Sequence, residues 1–262
     1  MNRVLDRAFT FFRVALAEMV AYRAEMLIWV LSATMPLVML AIWDAAVADG
    51  PVRGWGQVEV TRYFAVNLVV RHLTAAWVIW ELNHLIRTGG LSTWLLRPIH
   101  PGWWSITETL AAWPMRLVIL APLVLGLILW RPELIFWPEL ANLFAFPLSV
   151  LLALWLMWSV QASFALLAFW IDQSMGFFSA WVALWGLLSG YLIPNALLPL
   201  SLGEAARWSP FYATLGAPVE LLLGEAPIAT TLLLQLAWSM LSFLLLGVLW
   251  RRGLRRYGAS GA

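Results

Sequence analysis

The chain has 262 residues, of which 63% are hydrophobic and 11% charged, with a formal net charge of +2. Soluble domains carry about 45–50% apolar and about 25% charged residues, so this composition describes an integral membrane protein with short loops and leaves no stretch for a soluble core or a nucleic-acid surface. All basic residues are arginine, so no P-loop lysine exists to reach the β- and γ-phosphates of a nucleotide; no cysteine is present either, which removes thiolate nucleophiles, disulfides and cysteine metal sites.

In chain order, the first stretch is broken by Arg3, Asp6, Arg7, Arg13, Glu18, Arg23 and Glu25 too often for the apolar region of a cleaved signal. Leu5, Phe9, Phe12, Leu16 and Met19 recur at three- and four-residue spacing, opposite Arg3, Asp6, Arg7, Thr10 and Arg13. That pattern predicts a helix lying in the membrane interface over residues 1–23; a ragged start to the first span is the alternative. Six segments then meet the need for about 20 mostly apolar residues: 24–46, 61–84, 106–130, 140–170, 174–193 and 227–250. All are expected to be helices, because lipid satisfies no open sheet edge and the runs lack the alternation of a membrane barrel.

Short-loop arginines set the orientation. The N-terminal segment, the loop over 87–104 and the tail over 251–262, which carries Arg251, Arg252, Arg255 and Arg256, are basic. The other three connections carry acidic residues such as Asp44, Asp49, Glu133, Glu204 and Glu225. An all-α bundle of six spans with both ends in the cytoplasm satisfies every loop. Trp43, Trp55, Trp103, Trp104, Trp130 and Trp137 sit near span ends, where interfaces attract them; Trp155, Trp158, Trp181 and Trp185 lie inside spans and read as packing. The halves show no similarity of the kind expected of an inverted-repeat transporter, so one membrane domain over 1–262 is expected.

Sites of chemistry are scarce. His72 and His84 are about three turns apart on one span and His100 lies in the loop, so no metal site is expected. The serine of "GLLSG" (Gly186 to Gly190) has no histidine after it, and Asp172 has no second carboxylate nearby, so neither a serine nor an aspartyl protease fits. What remains at membrane depth is Asn67, Arg71, Arg116, Gln161 and Gln235, where an unpaired charge costs several kcal/mol. Arg71, Asn67, Arg116 and Gln161 are candidates for the lining of a path that attracts an anionic headgroup. The alternative is that the arginines snorkel, or bond carbonyls at a helix break beside Pro114. Glu108, two turns before Arg116, is a candidate partner.

Between the fifth and sixth spans, residues 194–226 are apolar yet punctuated by Pro194, Pro199, Pro210 and Pro218, with Pro227 just beyond. Such spacing forbids a continuous span and predicts two short helices that dip into the outer leaflet and return. They would bury Leu197, Leu198, Phe211, Leu215 and Leu221 and leave Glu204 and Arg207 in water; an amphipathic surface loop is the alternative.

The loop after the second span reads "RTGGLSTWLLRPIHPGWW". Gly89 and Gly90 turn the chain out of the membrane, Leu91, Trp94 and Leu95 share one helical face, and Pro98 ends the helix. Arg87 and Arg97 flank it, positioned for acidic residues of a partner or for anionic lipid heads; a simple interfacial loop held by Trp94, Trp103 and Trp104 is the alternative. The string "GGLSTWLLRP" (Gly89 to Pro98) and the later "SPFYATLGAPVELLLGE" (Ser209 to Glu225), together with the topology, resemble the permease subunits of ABC-2 type ABC transporters. That resemblance implies that Gly89, Gly90, Leu91, Trp94, Leu95, Leu96, Arg97 and Pro98 form a coupling helix docking on a cytosolic ABC ATPase subunit, and that Pro210, Phe211 and Pro218 belong to an outer re-entrant segment. It further implies ATP and magnesium on that partner rather than on this chain, and a second permease, same or related, completing a path by alternating access. The setting implied is the bacterial cytoplasmic membrane with its lipids, and export is the expected direction. A non-transporting scaffold subunit and an ion-driven secondary transporter are the competing readings; the second lacks the titratable carboxylate at midplane that it needs.

Overall fold

A computed structural model describes residues 34–97 and 100–257, with isolated positions 13, 17, 21, 24, 27 and 28 before them. The expected interfacial helix over 1–23 and the first half of the 24–46 span fall largely outside the described residues, as do Pro98 and the last five residues of the tail. The described chain is helical: α1 Met35–Ala46, α2 Gln57–Leu73, α3 Val78–Arg87, α4 Leu91–Leu95, α5 Pro101–Ala111, α6 Trp113–Trp130, α7 Leu140–Leu166, α8 Ser174–Leu188, α9 Leu200–Arg207, α10 Pro210–Thr214, α11 Gly216–Leu223 and α12 Ile228–Arg256. Among the described residues the one extended pairing is an isolated bridge between Val52 and Trp55.

Four stretches are long and apolar enough to cross a membrane, Gln57–Arg87, Pro101–Trp130, Leu140–Phe169 and Ile228–Arg256, and α1 and α8 are shorter apolar helices. The chain is therefore a multi-pass membrane protein. Two of the long stretches are broken. Residues 74–77 leave the helix between α2 and α3, and a turn at Ala112 separates α5 from α6 just before Pro114, whose ring lacks a donor and crowds the preceding turn. Helix α8 stops at Leu188 rather than at the expected 193, because Gly190 adopts a left-handed φ of +87° and Pro194 follows. Helix α12 continues six residues past the expected 250 and takes in four arginines of the tail, two of them in its last turn, where the helix dipole favours cations.

Helix α7 is the central post, packed by α12 along its length and by α3, α10 and α11. Why α12 faces inward as it does is readable from its sequence. Thr231, Gln235, Ser239 and Ser242 recur at four- and three-residue spacing and are buried, whereas Leu233, Met240 and Leu244 are exposed. Leucine gains nothing by leaving lipid for protein, so small and polar residues take the contact, where they allow close approach and hydrogen bonds. Gln235 meets α7 twice: Ser149 Oγ donates to Gln235 Oε1 at 2.8 Å, and Gln235 Nε2 donates to the Ser149 carbonyl at 3.1 Å. The same amide reaches the Ala213 carbonyl at 2.9 Å and ties in α10. At one end of the bundle Arg131 pairs with Asp44 at 2.6 Å, joining the last turn of α1 to the end of α6; the opposite end carries α4.

Candidate functional site

Three places gather the polar residues that the bundle cannot ignore. The first lies at membrane depth, where the break after α2 frees backbone carbonyls. Arg116 Nη1 donates to the carbonyls of His72 and Ala75, both at 2.9 Å, and Trp113 Nε1 donates to that of Leu73 at 2.9 Å. The buried Arg116 thus repairs a helix break, though the break lies in the second stretch rather than beside its own Pro114. Arg71, half-buried on α2, sits 5.3 Å from the Trp185 ring centroid and 5.9 Å from that of Tyr191. Its Nε has no hydrogen-bond partner, and no acidic side chain forms an ion pair with it or with Arg116 among the described residues.

One turn before Arg71, Asn67 Nδ2 donates to the Gly190 carbonyl at 2.9 Å, and the Tyr63 hydroxyl donates to the same oxygen at 2.9 Å. These bonds fix the turn that carries Tyr191 over Arg71. Asn67, Arg71 and Arg116 are brought into one neighbourhood. Gln161 lies apart on α7, buried, with Oε1 unpartnered, and makes no hydrogen bond to that group. An aromatic column leads away along α8: Phe178 stacks on Trp181 at 5.9 Å, and Trp181 on Trp185 at 6.4 Å.

The second place is α4. Gly89 has a φ of +79°, a backbone that other residues adopt only with strain, and lets the chain turn into the helix. Leu91 is fully buried, so it anchors α4 and is not part of a presented knob; the exposed apolar residues are Leu95 at 42% and Leu96 at 87%. Leu91 and Leu95 lie on one face a turn apart, about 6 Å along the axis, so the core covers the first while the second stands at its edge. Trp94 lies between, packed against Trp104 at 5.8 Å, with the Arg97 guanidinium 4.1 Å from its ring centroid. The Tyr257 hydroxyl accepts from the Ser92 amide at 3.2 Å and lies 3.3 Å from Ser92 Oγ. The end of α12 therefore holds the base of α4. Sequence reading passed over Tyr257, although Trp250, Leu254 and Tyr257 follow the four- and three-residue spacing of one helical face.

The third place is the segment from Asn195 to Leu223. It folds as a short turn and three short helices, one more than expected, and buries Leu197, Leu198, Leu215 and Leu221, with Phe211 half-buried. Glu204 and Arg207 are exposed. Pro210 opens α10 behind the Ser209 cap, and Pro218 is buried in α11. Glu220, which sequence reading also passed over, is fully buried. Its Oε2 accepts from the Tyr212 hydroxyl at 2.8 Å and lies 3.2 Å from the Arg207 guanidinium, while Oε1 has no partner. Burial pushes the Glu220 carboxyl above its usual range, and outweighs the attraction of Arg207 and the bond from Tyr212, which act the other way. Burial also raises Glu225, to about 7, with Glu220 adding to the effect. Among the described residues no cluster of metal-binding side chains forms.

Comparison with known proteins gives one family. Residues 30–261 match the family described as ABC-2 family transporter protein. No curated protein matches the chain.

Proposed function

The chain belongs to the ABC-2 transporter family, and from that premise we propose that it is one half of an ATP-driven exporter in a bacterial cytoplasmic membrane, completed by a second permease and by separate ABC ATPase subunits. The observation that carries this is the geometry of α4. An apolar tip, Leu95 and Leu96, stands in water beside Arg97, on a helix pinned to the core by Leu91 and to α12 by Tyr257. A fully exposed leucine on a rigidly held helix is what an interface anchor needs, because little ordering remains to oppose docking. The α4 end accordingly faces the cytoplasm, in keeping with the arginines near it. ATP and magnesium bind the partner; this chain transmits the partner's closure through α4 into α3, α5 and α12.

Arg71 and Asn67 supply the polar lining of the path, with the Trp185 and Tyr191 rings beside them, while Arg116 holds the break that lets the second span bend. Purification from native membranes in mild detergent tests the assignment: an ABC ATPase and a second permease chain are expected to copurify. Recovery of the chain alone, or transport in vesicles that persists without ATP, would contradict it. Arg71→Gln is expected to lower transport while leaving the ATPase bound.

A further inference from the structure

Beneath α4 lies a half-open apolar cavity of about 160 Å³. Its wall draws on α3, α4, α5, α7 and α12, and four tryptophans face it, Trp94, Trp104, Trp158 and Trp250, with Phe243 at its deep end. About 150 Å³ is enough for a benzene-sized apolar group, so the space takes a chain segment of about six carbons. The seven-residue step from Trp250 to Phe243 along α12 gives it a depth of about 10 Å at 1.5 Å per residue, reaching from the bundle's basic end toward the middle.

Two features say what fills it. First, the wall is almost wholly apolar, with Glu81, His100 and Ser105 as its polar members, and Glu81 already engaged within the protein; His100 turns its ring to Trp250 at 4.6 Å and accepts the Gly102 amide at 3.0 Å. A charged or strongly polar ligand gains little from such a lining, whereas an aliphatic chain matches it. Second, the rim is basic. Arg97 lies on the Trp94 ring, and Arg251 stands one helical turn after Gly247 on the face of α12 that lines the cavity; both are exposed and neither forms an ion pair among the described residues. An apolar slot under unpaired arginines at a membrane surface is complementary to one acyl chain and its anionic head.

We propose that this cavity is a binding site for an acyl chain of an anionic phospholipid from the leaflet at the α4 end, whose headgroup meets Arg97 and Arg251. Because Trp94 forms part of the wall, the bound chain braces α4 from below. The site rests on the orientation inferred above and not on docking of an ATPase.

The test uses the full chain in nanodiscs with a phosphatidylglycerol whose acyl chain carries a diazirine, followed by mapping of the photolabelled residues. Label is expected in residues 94–104 and 243–250, at least fivefold above that on exposed positions of α6 such as Leu125 and Leu129. Gly247 lines the cavity, and a Cβ there would meet nothing within 4 Å, so the side chain of Gly247→Leu starts into open space and should abolish the excess by occupying the cavity. Arg251→Gln leaves the cavity in place and should reduce labelling toward the level seen with a matched phosphatidylcholine probe. Labelling that is unchanged in Gly247→Leu, or equal for the two headgroups, overturns the site. Melting temperature checks that each variant folds, and ATPase copurification, read separately, reports on the docking assignment alone.

Discussion

The two ends of the bundle are both built from short helices broken by glycine and proline, yet they are organised in opposite ways. At the α4 end a five-residue helix buries its first leucine, while its last, Leu95, and the Leu96 that follows are exposed. At the other end α10 and α11 bury nearly every side chain, including the carboxylate of Glu220. Large apolar groups exposed on a loop helix, outside the spans, suit the docking proposed for α4. A surface that buries even its charge is made to hold shape: once Glu220 is inside, Tyr212 and Arg207 must stay in place around it.

Matched substitutions sharpen that contrast. Gly190, at the start of the outer segment, combines a left-handed φ with a site where a Cβ would strike the Tyr63 hydroxyl and Asn195. Gly190→Ala is expected to cost about 2–4 kcal/mol, the sum of the left-handed backbone and overpacking, read as a large fall in melting temperature. Gly89→Ala at the α4 end meets the left-handed backbone cost of about 1–2 kcal/mol, beside a helix whose last residues are exposed; equal losses at both ends would break the contrast. Tyr212→Phe removes the hydroxyl that serves a buried carboxylate, at about 1–3 kcal/mol. Tyr257→Phe removes bonds to the half-exposed Ser92 and is expected to cost about 0.5–1.5 kcal/mol, while still lowering substrate-stimulated ATPase activity.

The smallest expected effect is on pH. A carboxyl whose folded value is raised binds more protons folded than unfolded, so its contribution is present at acid pH and lost as pH rises through the folded value. For Glu225 that window runs from 4.5, its ordinary value, to about 7, and Glu220 acts in the same direction. The melting temperature should therefore be lower at pH 8 than at pH 5, and the fall should shrink in Glu225→Gln. A fall of the same size in that variant would place the titration elsewhere.

What the sequence made legible follows from how local each signal is. The runs that became α5 to α7 and α12 are long and apolar, and length alone marks them. The helix over Leu91–Leu95 was readable because Gly89 and Gly90 fix its start. The break at residues 74–77 was not, since Thr74, Ala75, Ala76 and Trp77 carry no glycine or proline; only Arg116 and Trp113, some forty residues later, show what the freed carbonyls needed. Arg116 was expected either in the path or at a break, and its bonds to His72 and Ala75 support the second. Leu91 was grouped with Leu95 by spacing, but tertiary packing separated them. Glu220 sits among Val219, Leu221 and Leu222 with nothing in the sequence to mark its partners, because Tyr212 and Arg207 reach it only after the chain folds back at Leu215.

The most direct measurement pairs two exposed leucines from the two ends. Leu96, the residue that ends α4, and Leu200 on α9 are 87% and 82% exposed, so a glutamate at either should fold equally well. ATPase binding to the purified permease in nanodiscs is expected to weaken about tenfold or more in Leu96→Glu, the loss typical of an interface anchor, and to stay unchanged in Leu200→Glu. Equal binding in both variants, or a loss confined to Leu200→Glu, would contradict α4 as the docking element.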